Sequence, residues 1–307
     1  SARLLAESVD ANASRAAAGE LQGVTLVRNA NYLDFSRHLI QNAKKWVFAQ
    51  LFFFQVEGQN SPGRQLLDDL AVAWGRGVDV RLILDTDLPE DFHGASSLNA
   101  NALAALQVAG VPYRLDMSGV TSHCRTLQVD DDQLLLGSHN WTPNSLYLME
   151  EASLYIEGTG LAGKECARFL QLWDWYNPDP QQRTIAFNLL RFLQPAEHRR
   201  LAAEGYSASR ELLNATGRAQ QVRSLARRLR VDPPRLERFW RMLRLMHAFA
   251  FPEATAYALT LTAIDSPSDF RRTPRTETLA ALRALPELEP PYDSQPIRFD
   301  VVEATHV

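Results

Sequence analysis

Cysteine and lysine are both scarce in this chain of 307 residues. Two cysteines occur, Cys124 and Cys166, without a CxxC pair or a Cys/His ladder. This excludes a disulfide framework and makes a structural zinc site improbable. The longest apolar run, 46–56, is too short to cross a bilayer and is interrupted by two glutamines. The alanine-rich start also lacks the apolar core of a signal peptide, so we expect a soluble protein, in the cytoplasm rather than the periplasm.

Charge is distributed unevenly along the chain, although the total is only -4. Residues 1–182 carry 13 basic against 22 acidic side chains, whereas residues 183–247 carry 14 arginines against 5 acids. A segment of net charge +9 beside one of -9 indicates an anionic partner for the basic segment rather than a particular fold. The length and the 46% apolar composition fit a globular protein of two domains.

The first 180 residues alternate between strand-like and helix-like patterns. This alternation predicts an α/β sheet with helices on both faces. The expected strands are 24–27, 46–54, 78–84, 111–115, 125–129, 133–136 and 152–156, and the expected helices are 30–44, 64–74, 98–109 and 161–175.

Strand signals nearly vanish after the linker Asn-Pro-Asp-Pro at 177–180. The later patterns predict successive amphipathic helices, followed by an extended tail with one edge strand at 297–302. The expected helices are 184–193, 196–204, 207–213, 218–229 and 233–249. We therefore predict an N-terminal extension (1–21), an α/β domain (22–177), a helical accessory domain (181–285) and an extended tail (286–307).

One stretch carries recognisable chemistry: H-x-R-x4-D at 123–130, followed by G-S-x-N-W-T at 137–142. An imidazole can attack phosphorus if a second acid protonates the leaving oxygen and if donors stabilise the developing charge. Were 123–129 a strand, its period of two would place His123 and Arg125 on one face. A turn at 137–138 would bring Ser138 and Asn140 to the same phosphate.

The motif resembles the H-x-K-x4-D signature of the phospholipase D superfamily, with arginine in the place of lysine. Short segments at 43–45, 75–82 and 109–111 are also similar to the family, and they extend the resemblance over about residues 22–177. It implies a phospholipase D-like mixed sheet flanked by helices, followed by a mostly α-helical C-terminal domain. It also implies that no metal or cofactor is needed. Because the chain has one such motif, the resemblance implies a homodimer in which the partner's histidine is the general acid.

The resemblance further assigns roles to seven residues of the predicted site. The implied roles are the nucleophile for His123, phosphate binding for Arg125, loop ordering for Asp130, turn donors for Ser138 and Asn140, and the histidine's partner for Glu150 or Glu151.

Several nearby residues call for other interpretations. His139 occupies a position that is normally small in the family, so we expect bulk near the site. Cys124 alternates away from its neighbours and is expected in the core. The acids 85, 87, 90 and 91 lack the spacing of a calcium loop, and we expect a solvated loop there.

The basic segment offers a candidate nucleic-acid surface. Residues 222–232 and 233–245 vaguely resemble a helix-turn-helix, with Asp232 and Pro233 opening the second helix. Solvated helix faces in a helical accessory or dimerising layer are the alternative. The candidate contacts are Arg223, Arg227, Arg228, Arg230 and Arg238.

Three functions are left open by the sequence. The first is a metal-independent phosphodiesterase, a nuclease because of the basic helices. The second is phospholipid hydrolysis, for which no amphipathic membrane anchor is present. The third is a non-catalytic protein that uses the phosphate pocket to bind nucleic acid or a protein partner, as the arginine at 125 and the histidine at 139 would suggest.

Overall fold

Two compact units make up the part of the chain that the structure, a computed structural model, describes: residues 21–86, 94–116, 121–293, 295 and 297–306. The first unit contains the described residues up to Asp116 together with Thr121–Leu170, and the second begins at Gln171. The predicted N-terminal extension lies almost wholly outside the described residues.

The first unit is built on a seven-stranded mixed sheet of order β1-β7-β6-β5-β2-β3-β4. Strands β2, β3 and β4 run parallel to one another, and the remaining pairings are antiparallel. The strands are β1 (Gly23–Arg28), β2 (Trp46–Leu51), β3 (Asp79–Leu84), β4 (Tyr113–Leu115), β5 (Arg125–Val129), β6 (Gln133–Gly137) and β7 (Ala152–Glu157), and the helices are α1 (Asn31–Asn42), α2 (Pro62–Gly75), α3 (Ala95–Ala109) and α4 (Thr159–Trp175). The predicted mixed sheet flanked by helices is confirmed.

Alternation along the strands divides the sheet into two covered faces. One face carries Val47, Ala49 and Leu127 into the main core, which also takes side chains from α1, α2 and α3. On the other face, Phe48 of β2 stacks on Phe169 of α4, with ring centroids 4.8 Å apart. Burial on both faces explains why the central strands read as nearly continuous apolar runs.

The end of β6 approaches β7 so closely that only glycine fits at position 137. A Cβ on Gly137 would overlap the carbonyl oxygen of Ala152 and the Cα of Ser153. Neither atom can move without shifting the β6–β7 pairing, in which Gly137 is opposite Ser153. The glycine of the G-S-x-N-W-T stretch is therefore required by the sheet itself.

Helices dominate the second unit, and the helical C-terminal region is confirmed. Its central helix, α8, buries apolar side chains on most of its circumference. The helices are α5 (Pro195–Ala203), α6 (Ser209–Ala215), α7 (Ala219–Leu229), α8 (Pro233–Phe249), α9 (Glu253–Thr260), α10 (Pro267–Arg272), α11 (Arg275–Arg283) and α12 (Phe299–Thr305).

The helix predicted at 184–193 is wrong, because only a 3-10 turn forms, at Phe187–Leu189. Side chains take up the backbone N–H groups that a helix would have bonded. The hydroxyl of Ser209 accepts from Ile185 at 2.8 Å, and the carboxylate of Glu253 accepts from Arg191 and Phe192 at 2.8 and 2.9 Å.

The predicted edge strand at 297–302 is also wrong, because α12 occupies most of that range. Val301 and Val302 are both buried. In a strand the side chains of these two neighbours would point to opposite faces of the sheet. In a helix that contacts α11, both side chains can be buried together. The tail is therefore only partly extended. No helix among the described residues is long and apolar enough to span a bilayer.

Replacing Gly137 with alanine should destabilise the first unit by about 1–3 kcal/mol, because the added methyl group forces the β6 and β7 backbones apart. The measurement is the free energy of unfolding from urea denaturation. Gly163→Ala is the matched control: it lies inside α4 with open space around its Cα, so alanine should stabilise by roughly 0.5–1 kcal/mol. Equal effects of the two substitutions would contradict the steric explanation.

Candidate active site

His123 and Arg125 lie together at the start of β5, as the spacing predicts. Arg125 is the first residue of the strand, and His123 precedes it by two positions. The guanidinium Nη1 and Nη2 of Arg125 lie 3.1 Å from the imidazole Nδ1 and Nε2, respectively. Nη1 also donates to the carbonyl oxygen of His123 at 3.0 Å. The cation is thus placed directly against the candidate nucleophile.

These paired contacts constrain the chemistry of the imidazole. A neutral imidazole has one nitrogen with an available lone pair, so at most one of the two 3.1 Å contacts is a hydrogen bond to an acceptor. That lone pair is the one a nucleophilic histidine needs. Attack on phosphorus therefore requires the Arg125 guanidinium to move off the ring, or the ring to rotate.

Aromatic packing holds this pair at the end of β2. The ring of Phe52 meets the His123 ring edge-on, with centroids 4.6 Å apart. The guanidinium of Arg125 lies 5.2 Å from the centroid of the same phenyl ring. Burial lowers the pKa of Arg125, while the negative charge of Glu151 opposes that effect. Phe52 was not predicted as a site residue, although it lies in the apolar run that precedes the motif region.

Asn140 connects the turn after β6 to this pair. Its Oδ1 accepts from the Arg125 Nε at 2.9 Å and lies 3.4 Å from the backbone nitrogen of Phe53. The neighbouring Trp141 is fully buried, and its backbone nitrogen donates to the Phe53 carbonyl at 3.0 Å. The predicted convergence of Asn140 on the site is therefore present, with the Arg125 side chain as its partner.

Ser138 belongs to a second cluster, centred on the carboxylate of Glu151. The Ser138 hydroxyl donates to Oε2 of Glu151, and the Ser145 hydroxyl donates to Oε1 at 2.6 Å. The same Ser145 oxygen accepts from the Asn140 backbone N–H at 2.8 Å, which links this cluster to the turn. Glu150 is exposed. Contact of either glutamate with His123 stays a prediction.

Ser145 was not among the predicted residues. It lies in a short π-helical turn, Asn144–Leu148, that begins after Thr142 and Pro143. The Thr142 hydroxyl accepts from the Ser145 backbone N–H at 3.2 Å. A threonine followed by proline is a local signal for the start of a helical turn, and could have directed attention to this segment.

Asp130 lies away from the His123 side chain and organises the chain before β2. Its carboxylate accepts from the backbone N–H groups of Lys44, Lys45 and Trp46, the shortest bond being 2.7 Å, from Lys45. It adopts a φ of 53°, a conformation that aspartate tolerates better than most residues. This geometry fits the loop-ordering role that the resemblance implies.

The prediction that His139 adds bulk near the site is wrong. His139 is fully buried and turns away, because its ring stacks on Tyr32 at 4.2 Å and its Nδ1 lies 2.8 Å from the Ser153 hydroxyl. Cys124 is half-buried, and burial raises the pKa of its thiol. The raised pKa keeps the thiol protonated, which agrees with a packing role.

The expected solvated acidic loop is also wrong at Asp85; the other acids of that stretch lie outside the described residues. Asp85 is 1% exposed and Asp116 is 5% exposed. The Ser122 backbone N–H donates to Asp85, and the Thr86 backbone N–H donates to Asp116 at 2.8 Å. Burial, together with the charge and hydrogen bonding of Asp85, raises the pKa of Asp116 to about 10. This carboxyl pair anchors Ser122, the residue before His123.

The arginines proposed to contact nucleic acid are partly engaged in ion pairs within the second unit. Arg223 pairs with Glu237 at 2.6 Å, and Arg228 pairs with Glu204 at 3.2 Å. Arg230 has a left-handed backbone at the end of α7, and Arg238 lies 5.9 Å from the Tyr257 ring centroid. Arg227 is exposed.

The two helices and the short turn that suggested a helix-turn-helix are present, and DNA contact through them stays a prediction. The turn between α7 and α8 is three residues long, and Asp232 caps α8 by accepting from the Arg235 backbone N–H at 3.0 Å. However, α8 buries Phe239, Trp240 and Met242 in the core of the unit. Because Arg238 is the only exposed residue of 236–249, little of the helix is available to a DNA groove, which favours a structural role for it.

No group of three or more His, Cys, Asp or Glu side chains that could hold a metal ion occurs among the described residues. The cluster around His123 thus consists of a histidine, a cation and neutral hydrogen-bonding groups on a mixed α/β sheet. The fold and this cluster are together of the kind that the phospholipase D resemblance implies.

Comparison with known proteins agrees. Residues 37–173 match the family model described as "Cardiolipin synthase, PLD-like domain". The chain therefore contains a phospholipase D-like domain over these residues.

Three similar proteins illustrate the relationship. A mitochondrial cardiolipin hydrolase of Canis lupus familiaris is 30% identical over 114 residues, which are 36% of this chain and 42% of the relative. The Xenopus laevis protein of the same name is 30% identical over 146 residues, 47% of this chain and 63% of the relative. The crystal structure of the phospholipase D family member Nuc from Salmonella typhimurium has a TM-score of 0.41 and 20% identity, covering 50% of this chain and 95% of that one. The chain therefore spans less than half of the first of these relatives.

The buried carboxyl pair generates a pH prediction. The ordinary pKa of an aspartate is 3.8, so at neutral pH Asp116 is protonated when folded and ionised when unfolded. Folding then takes up a proton, and the free energy of unfolding falls as pH rises from about 4 to about 10. Asp116→Asn removes this proton uptake. The free energy of unfolding of the variant, relative to that of the wild type, should therefore increase with pH across the same window.

Urea denaturation of both proteins at about pH 5, 7 and 9 measures this difference. Asp68→Asn, at an exposed carboxylate that pairs with Arg64, is the control. A stability difference for Asp116→Asn that is the same at all three pH values would contradict a proton held on Asp116.

Proposed function

We propose that this protein is a phosphodiesterase in which His123 is the nucleophile and Arg125 the phosphate-binding cation. The observation that carries the proposal is the contact between the Arg125 guanidinium and both ring nitrogens of His123. A phosphate that draws the guanidinium towards its non-bridging oxygens would uncover the imidazole at the place where phosphorus arrives. Binding and activation of the nucleophile would then be one event.

The reaction has two steps. In the first, a P–N bond to His123 forms while the P–O bond to the leaving group breaks, and a general acid protonates the leaving oxygen. In the second, water attacks phosphorus, the P–N bond breaks, and the same acid–base group takes the water proton. Arg125 and the Asn140 amide stabilise charge on the non-bridging oxygens in both steps. We propose that a histidine of a second copy supplies the acid, in a homodimer.

Nucleic acid is the substrate class that we propose first, because of the +9 segment at 183–247. Phospholipid is the second candidate. It is favoured by three exposed apolar side chains, Tyr147, Leu148 and Met149, that follow Ser145 and precede Glu151. The relatives named cardiolipin hydrolases support the same alternative. The assay should therefore offer both substrates.

His123→Ala should abolish hydrolysis, with a loss of at least about 10³-fold, because no nucleophile is left to form the P–N bond. Labelled single- and double-stranded DNA and RNA, and cardiolipin vesicles, are incubated with each protein in EDTA. His38→Ala, at an exposed histidine of α1, is the matched control and should leave the rate unchanged. Activity that persists in His123→Ala would exclude the histidine mechanism, and activity lost in EDTA would exclude metal independence.

Arg125→Lys should raise the single-turnover rate, because an ammonium keeps the charge but cannot contact both imidazole nitrogens at once. Arg125→Ala should lower it by roughly 10²–10³-fold through loss of the phosphate-binding cation. Acid-quenched samples, probed for phosphohistidine, would localise the effect to the first step. A lysine variant as slow as the alanine variant would show that the arginine geometry itself is needed.

A non-catalytic protein is the remaining alternative, and the same Arg125 contacts favour it, since they occupy the nucleophile. It predicts no hydrolysis by the wild type or by Arg125→Lys. Binding of nucleic acid that is unaffected by His123→Ala but lost in Arg125→Ala would then support a phosphate-binding role for the pocket without turnover.

A further inference from the structure

The second unit contains a cavity of about 560 Å³ that the proposed chemistry does not use. It lies among α6, α8 and α10, and its volume falls within the roughly 300–1,000 Å³ typical of small-molecule sites. Apolar groups such as Leu213 and Ala248 contribute to its lining, together with two cations, Arg244 and Arg271. A cavity of this kind fits a ligand with an apolar body and a negative charge.

Neither of the two arginines of the cavity forms an ion pair with a described residue, in contrast to several arginines elsewhere in the unit. Elsewhere in the unit, arginines are neutralised by carboxylates: Arg235 by Glu197 at 2.9 Å and Arg272 by Asp269 at 2.9 Å, for example. Arg244 and Arg271 instead lie over aromatic rings. A cation without a carboxylate at a cavity wall is available to an anionic ligand.

Arg244 also supplies a flat surface. Its guanidinium lies 4.7 Å from the centroid of the Trp240 ring, and Trp240 is held in place because its indole N–H donates to the Thr216 carbonyl at 3.1 Å. A planar guanidinium supported by an aromatic ring can stack a heterocyclic base as well as bind phosphate. Arg271 of α10 also lines the cavity, and its guanidinium lies 5.2 Å from the centroid of the Phe249 ring.

The remaining ionisable groups leave the cavity positive. His247 is neutral, because burial first and then the charges of Arg183 and Arg210 lower its pKa to about 4. The one carboxylate in the lining, Asp179, accepts hydrogen bonds from the Gln181 backbone N–H at 2.9 Å and the Gln182 side chain at 3.0 Å. Asp269 of α10 is paired with Arg272.

We propose that this cavity binds a nucleoside monophosphate group, with the base stacked on the Arg244–Trp240 pair and the phosphate held by Arg244 and Arg271. The group can belong to a free mononucleotide or to the phosphorylated end of a strand. This site is separate from His123 and does not depend on the phosphodiesterase proposal.

The test is calorimetric titration of the full chain carrying His123→Ala, so that hydrolysis cannot affect the result. The probes are deoxyadenosine 5′-monophosphate, deoxyadenosine, deoxyribose 5-phosphate and a 5′-phosphorylated deoxyadenosine dinucleotide. We expect saturable binding of the monophosphate, weaker binding of its two halves, and at least about tenfold weaker binding after Arg244→Ala or Arg271→Ala. Tighter binding of the dinucleotide than of the monophosphate would identify a strand end as the ligand. Equal affinities for these two probes would identify a free mononucleotide as the ligand.

Two further variants make the outcome decisive. Arg199→Ala removes an exposed arginine of α5 outside the cavity and should not change the affinity. Arg244→Lys keeps the charge but loses the plane, so it should weaken binding of the monophosphate while leaving deoxyribose 5-phosphate unchanged. No saturable binding of the monophosphate, or the same loss in Arg199→Ala as in the cavity variants, would overturn the proposal.

Discussion

The guanidinium of Arg125 is the group on which the geometry of the first unit's site depends. It contacts both ring nitrogens of His123, takes Asn140 as an acceptor and lies over Phe52. These contacts join the start of β5, the end of β2 and the turn after β6. A lysine has one nitrogen and could reach only part of this set, so the arginine makes the cluster more rigid than an ammonium would.

Rigidity at this place has two consequences. In the reaction that we propose, the half-buried cation is ready for a phosphate, but it also covers the His123 imidazole until a competing anion arrives. The supporting structure lies outside this contact set: Asp130 orders the chain before β2, and the buried Asp85–Asp116 pair holds the segment that leads into His123. Strand β5 follows that segment, and so the alignment of the imidazole depends on buried acids as well as on the motif.

The second unit uses its arginines differently. Four of the fourteen arginines in the +9 segment pair with carboxylates, which reduces the positive surface that this segment promised. Two arginines without an ion pair to a described residue, Arg244 and Arg271, line the cavity among α6, α8 and α10 and rest on aromatic rings. Net charge along the sequence therefore did not indicate which arginines line a cavity, and the site that we propose is a pocket rather than an open helical face.

The sequence by itself determined the mixed sheet, its flanking helices, the position of the His-Arg motif and the exact bounds of the helix at 233–249. Local periodicity and cap residues predict the strands and helices, because each acts over a few neighbouring residues, whereas the mixed sheet and the motif were predicted from the family resemblance. Tertiary structure alone decided that His139 turns into the core, that Asp85 is buried, that 184–193 is not helical and that Ser145 joins Glu151. Each of these features depends on burial or on a partner that no local pattern could assign. Ser153 bonds His139, Asp116 lies beside Asp85, and Glu253 accepts from the backbone of 191–192.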